Sequence, residues 1–449
     1  MNSTERLGTE KIKTLIFSLG WPAAINFLVI AIYNITDIIF VGHWLGPMEI
    51  AAVVVVGTVN FLYCAFGLAI GIGGASIIGR ALGAKDKEKA ALVFGNQILL
   101  VIIVSCLIVA AGWLFEDFII KLFGAYGDIF APAKTYYRVL LFGIPFISFS
   151  MMGNNVIQAE GKARRVLFNS LIPAAVNIIL NPVFIGVFHM GIAGAAWATM
   201  AAFVLGALMV LVFFAGPRTG IRLTRISLNF GIVREIMGIG SSVLLNIAAT
   251  NVFVVLLNKV LFKYQQEAGV VIYSIISRVS MLFQIPLIGI DGGIRPIIGY
   301  NFGSQQMGRI RETVQYAMKY GMTIGYVLLA IVFVSANYLV GLFTQDEHIA
   351  AITLPAIRIV LSFFPFMIIE VITVAYFQSI GKPQTAFLLT LLRNVVLLIP
   401  LLYILPSFLG YDGILYTFPI VDIITTITAF WLLRNELSGK LVQRAGTPL

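Results

Sequence analysis

Residues 70–83 read IGIGGASIIGRALG, and residues 290–303 read IDGGIRPIIGYNFG. At a constant offset of 220, Ile70, Gly73, Ile77, Ile78, Gly79 and Gly83 fall on Ile290, Gly293, Ile297, Ile298, Gly299 and Gly303. The register extends outward in both directions. Gly20 and Asn26 meet Gly240 and Asn246. Arg138, Leu141, Pro145, Phe146, Gln158, Gly161 and Lys162 meet Arg358, Leu361, Pro365, Phe366, Gln378, Gly381 and Lys382. Near the end of each half the offset becomes 219, pairing Gly191 and Gly194 with Gly410 and Gly413. Ile and Leu coincide by chance in apolar sequence, but Gly, Pro, Asn, Arg, Gln and Lys in one register mark a duplication.

Each copy is built for lipid. Of 449 residues, 59% are hydrophobic and 11% charged, with a mean hydropathy of +0.98; a soluble domain carries roughly 25% charged residues. Apolar runs such as Leu92–Phe115 and Tyr320–Leu342 reach the roughly 20 residues that a helix needs to cross a bilayer. Barrel strands would alternate over about 10 residues instead. The fold expected is therefore an all-α membrane protein with twelve transmembrane helices in two six-helix repeats. The spans fall near 15–42, 50–79, 91–115, 133–158, 166–187 and 191–216, then 236–262, 269–299, 313–341, 354–379, 385–408 and 412–433. Six is even, so both copies enter from one side and run parallel, an arrangement used by transporters that rock about a midplane site. Residues 1–216 form an N-lobe, 217–235 a linker, and 236–449 a C-lobe with a short tail.

A net charge of +10 does not point to nucleic acid, because the cations are sorted by loop. Ten lie at the N-terminus and in the next two even-numbered loops: Arg6, Lys11, Lys13, Arg80, Lys85, Lys87, Lys89, Lys162, Arg164 and Arg165. Ten more follow in the later even loops and the tail: Arg218, Arg222, Arg225, Arg234, Arg309, Arg311, Lys382, Arg434, Lys440 and Arg444. The opposite side holds about five, Lys121, Lys134, Arg138, Lys259 and Lys263. The positive-inside rule then puts both termini and the linker in the cytoplasm of a multi-pass plasma-membrane protein of the bacterial inner-membrane type. Cys64 and Cys106 both sit in apolar runs, which argues against a disulfide framework or a metal site. The first apolar segment lacks a cleavage pattern and reads as a retained helix.

Carboxylates inside spans are costly and usually functional. Four are placed there: Asp37, Asp291, Glu370 and Asp422. Asn26, Tyr33, Asp37 and Trp44 share one helical face, and Asn34 lies one turn before Asp37. Low dielectric disfavours a charged carboxylate, so Asp37 is a candidate proton carrier; the plainer alternative is helix–helix hydrogen bonding. Asn177 and Asn181 are four apart and share a face beside Pro173 and Pro182, and asparagines there also serve as interhelical glue. Pro22 either kinks the first span or occupies its first turn. Asp291 and Arg295, four apart, are read as an internal ion pair. Glu370 has no obvious local partner and is a second candidate for binding a cation or proton; Asp422 could pair with Arg393 from the neighbouring helix. The glycine runs lack the Gly-Lys-Ser/Thr ending of a phosphate loop and are read as helix-packing surfaces. His43, His189 and His348 fall near outside loops without metal-ligand spacing.

Several local patterns together resemble the multidrug and toxic compound extrusion (MATE) family. They are Gly20-Trp21-Pro22 with Asp37 to Gly42 following, and Ile78-Gly79-Arg80 through Lys85. With them stand Gln158-Ala-Glu-Gly161-Lys162, Asn177 through Pro182, and Pro296 through Gly303. The resemblance covers essentially the whole chain, and the first-span carboxylate is similar to the DinF-like branch. It implies two lobes set in a V, and a cation or proton site at Asp37, Asn177, Asn181 and Thr199, with bending of the first helix near Pro22. Asn181 departs from the family, where many relatives carry aspartate. No acid stands in the seventh span, so only Glu370, Asp291 and Arg295 remain as second-lobe candidates.

The resemblance also implies a secondary antiporter, not an enzyme, that expels amphipathic, often cationic small molecules by alternating access. The coupling ion expected is the proton, with sodium as the alternative, and no cofactor or metal is called for. Tyr33, Asn34, Tyr136, Tyr137, Met151, Met152 and Asn154 are the candidate substrate-cavity residues; methionines adapt to variable ligands, and ordinary packing is the competing reading. The partners are small-molecule substrates and the bilayer, with the chain acting as a monomer. A lipid-linked saccharide flippase would want a more basic cavity than Arg278, Arg295 and Arg393 provide, and an intramembrane enzyme would need a nucleophile–base or metal cluster that is not apparent. In a cysteine-free background, His43→Cys, His189→Cys and His348→Cys should react with an impermeant maleimide outside intact cells. Labelling of Lys87→Cys, with the first two protected, would invert the topology.

Overall fold

The computed structural model describes residues 4–217, 219–222 and 227–439; Arg218, Arg225, Lys440 and Arg444 lie outside them. Among the described residues the protein is helical throughout, without strands. Eleven helical stretches are long and apolar enough to span a membrane. They are α1 (Ile12–Trp44), α2 (Pro47–Gly83), α3 (Lys87–Leu114), α4 (Gly127–Ala159), α5 (Ala163–Val187), α6 (Ile192–Ala215), the stretch Phe230–Gly303, α9 (Met307–Gly341), α10 (Glu347–Ser379), α11 (Pro383–Leu409) and α12 (Tyr411–Leu437). Phe230–Gly303 runs for 74 residues, but Gln266 breaks it at φ 51°, ψ −138°. It is therefore two spans, α7 (230–265) and α8 (267–303), and the total is twelve. Gln266 is the repeat mate of Gly46, which turns α1 into α2 at φ 120°. An L-residue at positive φ is uncommon, and no glycine marks this turn in the sequence.

Other turns keep the register as well. Lys85 and Gln305 have φ 61° and 59°, Gly161 and Gly381 have 77° and 81°, and Gly191 and Gly410 have 59° and 62°. The starts of α3, α7 and α10 are capped by side chains: Asp86 accepts from the Lys89 N–H at 2.9 Å, Asn229 from Gly231 at 2.9 Å, and Asp346 from His348 at 2.8 Å. Such caps satisfy N–H groups that have no intrahelical acceptor. Pro22 lies well inside a continuous α1, not in its first turn. Its missing N–H leaves the Ser18 carbonyl without the usual intrahelical donor.

Contacts divide the chain into two compact units. The first comprises residues up to Glu10, Trp21–Leu244 and Gly299–Gln305; the second comprises Lys11–Gly20, Leu245–Ile298 and the residues from Gln306 onward. In the first, α4 packs along α2 and α6, and Val41, Val56, Val59, Tyr136, Leu140 and Ile144 form its apolar core. In the second, α12 packs on α10 and α11, with a core at Leu257, Leu261, Leu402, Ile414 and Val421. Large apolar side chains also stand exposed, Val334 at 90%, Phe408 at 81% and Leu114 at 78%. With so many apolar spans, these outward faces meet hydrocarbon, and the protein is a multi-pass membrane protein.

The glycines of the repeat are explained by backbone contact. In the first unit, Gly73 lies on the Ile236 carbonyl, and a Cβ on Gly240 would fall 2.6 Å from the Ala69 carbonyl oxygen. In the second, a Cβ on Gly293 would fall 3.0 Å from the Ile16 oxygen, and one on Gly20 would fall 2.7 Å from the Gly289 oxygen. Every pair maps onto its counterpart by the 220-residue offset. Between α2 and the end of α8, Gly83 meets the Tyr300 carbonyl and Gly303 the Arg80 carbonyl, while Gly79 and Gly299 are roomier at 3.7 Å.

On the Lys121 side of the bilayer, Glu116 binds Arg138 at 2.6 Å and 2.8 Å and Lys134 at 2.9 Å. These donors, Arg138 foremost, hold its carboxyl down at about 2 against an ordinary 4.5. A lowered folded-state value stabilises above the unfolded value and is lost as pH falls through the folded one. This clamp should therefore weaken only between about pH 4.5 and 2.

Gly83→Ala and Gly303→Ala should lower the thermal midpoint and the monodisperse yield in detergent, by an overpacking cost of about 1–3 kcal/mol. Gly79→Ala meets only ordinary contacts and gains helix propensity, so its melting curve should match or exceed wild type.

Candidate functional site

In the first unit four helices converge on Asp37. It stands on the polar face of α1 and is 6% exposed. Asn181 of α5 donates to its Oδ1 at 2.8 Å, and the Tyr136 hydroxyl of α4 donates to Oδ2 at 3.3 Å. The Asn181 amide also donates to Asn177 Oδ1 at 2.9 Å, and Asn177 donates to Thr199 Oγ1 of α6 at 3.2 Å. Asn177 and Asn181 are 0% exposed and Thr199 is 2%. Tyr33, one turn before Asp37, is half-buried and approaches both Asp37 and Thr199. Pro182 follows Asn181 directly and α5 loosens into a π turn over Val183–Val187. Such turns frequently occur at functional sites.

One carboxylate, two amides, a threonine and two tyrosines make a network with a single acid. Its donors point at Asp37, and hydrogen bonds to a charged group contribute about 1.5–3 kcal/mol each. Among the described residues Asn181 Oδ1 has no hydrogen-bond partner although it is buried, so it can accept from a protonated group or water, or ligate a cation.

The remaining candidates separate. Asn34 is exposed and donates to the Ile30 carbonyl at 2.8 Å, turned away from Asp37. Tyr137 is packed in the unit's core, where its hydroxyl lies 3.0 Å from that of Tyr63. Met152 is 0% exposed and likewise a core residue here. Met151 and Asn154 are half-buried, and Asn154 accepts from Asn169 at 2.9 Å. Tyr136, read from the sequence only as a cavity residue, is a hydrogen-bond donor to Asp37. Its partnership spans 99 positions and has no local signature.

In the second unit Glu370 has no partner within its own helix but does have a charged one on the next, Arg393. Arg393 lies 3.3 Å from Glu370 without hydrogen-bond alignment and 2.8 Å from Asp422, to which it donates. Arg393 sits in a π turn of α11, Leu392–Leu397. The signal that was available is the arginine itself, since an intramembrane cation calls for acids on neighbouring helices. Asp291 is held by Arg295 at 2.8 Å and 2.9 Å, and Arg295 also binds Gln378. That pair is an internal ion bridge. No group of three metal-ligating side chains occurs among the described residues.

Known proteins share this construction. The sequence profile of the family described as MatE matches residues 22–183 and again residues 242–404, once in each repeat. The multidrug export protein MepA of Staphylococcus aureus (strain MRSA252) is 26% identical over 427 residues, covering 94% of both chains. The crystal structure described as MATE in the bent conformation superposes with a TM-score of 0.93 at 27% identity, covering 100% of both chains. An outward-facing multidrug resistance MATE family transporter of the MOP superfamily superposes with a TM-score of 0.89 at 27% identity, covering 97% of this chain and 98% of that one. The chain accordingly belongs to the MatE family and is a membrane transporter, not an enzyme.

Proposed function

We propose that the protein is a proton-coupled exporter of amphipathic organic cations, working by alternating access with both termini in the cytoplasm. The multidrug-export naming of its relatives supports the substrate class. The observation that carries the coupling is Asp37, a buried carboxylate whose described partners are neutral. A hard metal cation is held by several oxygen ligands, often more than one of them charged. A proton needs one carboxylate, and burial raises its affinity without a cage. Protonation removes the charge that Asn181 and Tyr136 serve, which frees α1 to repack around Pro22.

Coupling needs proton and substrate to favour different conformations, or to compete for one; equal binding to both would transmit nothing. Asp37 meets the first condition if its protonated form favours the α1 packing that binds substrate poorly.

In proteoliposomes free of sodium, an imposed pH gradient should drive ethidium movement, and Asp37→Asn should abolish it while leaving the protein folded. Transport driven only by a sodium gradient, with pH jumps inert, would overturn the proton assignment. In cells lacking their own pumps, Asn181→Leu should lose efflux as severely as Asp37→Asn, whereas Asn34→Ala should stay near wild type. A large loss in Asn34→Ala would mean that the exposed α1 face, and not the buried network, carries the coupling.

A further inference from the structure

The Asp37 network is one end of a longer polar seam. On α5, Arg165, Asn169, Pro173, Asn177 and Asn181 occupy every fourth position, one ridge that winds gently around the helix. At 1.5 Å per residue the ridge covers about 24 Å, most of a hydrocarbon core of about 30 Å. Facing it on α4, Ser150, Asn154 and Gln158 are also spaced by four. The ridges touch where Asn169 donates to Asn154 at 2.9 Å. Asn169 is 1% exposed and Ser150 is 5%.

Three features show that the seam is polar without being closed by its own side chains. The buried oxygens Asn169 Oδ1 and Asn181 Oδ1 lack a hydrogen-bond partner among the described residues. Pro173 cannot donate to the carbonyl of Asn169, which leaves a main-chain acceptor beside the first of them. Opposite Pro173, α6 presents Gly206; a Cβ there would come 3.1 Å from Ser150 Oγ and 3.7 Å from Pro173 Cγ. The glycine keeps side-chain bulk out of the gap between Asn177 and Asn169. Buried polar oxygens are normally satisfied, by protein or by ordered water.

We infer that this seam is a water-lined proton route in the first unit, joining Asp37 to the aqueous side at Arg165. The inference rests on the proton-coupling reading of Asp37. In it Asn181, Asn169 and Ser150 are positioning residues: they hold water in file and take no proton themselves. The titratable groups that face Asp37 are Tyr33 of its own helix and Tyr136 of α4, with Cys64 of α2 beyond Tyr33. Arg165, which reaches the Met209 carbonyl of α6 at 3.5 Å, is the charged end of the α5 ridge.

The test is pH-jump-driven ethidium transport in sodium-free proteoliposomes, with internal pH followed by a trapped dye. Asn169→Leu should slow transport by about tenfold, a barrier rise of about 1.4 kcal/mol, with ethidium affinity in detergent unchanged. Asn169→Ser, which can still hold water, should recover most of the rate and retain the wild-type slowing in deuterated water. Ser150→Val attacks the opposite wall and should behave as Asn169→Leu does, which covers the case in which that variant fails to fold. Wild-type rates in Asn169→Leu or Ser150→Val, beside a wild-type protein that responds to pH, would remove the route and leave Asp37 coupling intact. Equal losses in Asn169→Leu and Asn169→Ser, with no solvent isotope effect in the wild type, would make the seam structural. A wild type indifferent to pH would overturn the coupling reading first, and the route with it.

Discussion

Hydrocarbon supplies neither a hydrogen bond nor a counter-charge, and that lack decides where each polar atom of this chain can stand. Backbone groups are satisfied within helices except at internal prolines such as Pro22 and Pro173. Charges are answered inside one unit, Asp37 by an amide and a hydroxyl, and the Glu370–Asp422 pair by Arg393. The two solutions differ in kind. A carboxylate held by neutral donors can change its charge without stranding a cation. In the second cluster one arginine stands between two acids and can neutralise only one of them. Hence a duplicated scaffold carries unequal chemistry in its two copies.

How much of this was legible in the sequence followed from what each feature demands. Gly73, Gly83 and Gly303 lie against backbone carbonyls where a Cβ does not fit, and Gly293 against one that leaves it only 3.0 Å, so a steric requirement wrote the same letter twice at a fixed spacing. Asp37 was visible because a carboxylate in an apolar run is conspicuous, and helical spacing supplied the face on which it stands. Thr199 carried no signal of its own, since a threonine in a small-residue helix looks like packing, and only the family resemblance brought it forward.

The misses share a cause: information that lies across the bundle. Arg393 was expected to reach Asp422, but it also meets Glu370 of the preceding helix, and no periodicity within a helix reports that. Asn34 satisfied the spacing rule but bonds back to its own turn, because a short amide side chain on a helix finds a carbonyl four residues earlier nearer than a neighbour's face. The break between the spans 236–262 and 269–299 was expected, but Gln266, which makes the turn, is a residue no turn rule flags, although its mate Gly46 is an ordinary choice. Register, not composition, was the clue there.

The division of the chain into units has an implication for its origin. Each unit incorporates short segments that the sequence assigns to the other copy: 236–244 and Gly299–Gln305 in the first, Lys11–Gly20 in the second. In the second unit those residues bring Ile16 and Gly20 against Gly293 and Gly289, as Ile236 and Gly240 lie against Gly73 and Ala69 in the first. A six-helix ancestor consisting of one copy would have presented both partners of such a crossing but been unable to close it upon itself. It would have closed the crossing by pairing with a second molecule, exchanging end segments reciprocally as two-fold dimers do. In one chain the same exchange is intramolecular, and its stoichiometry is fixed at one copy of each.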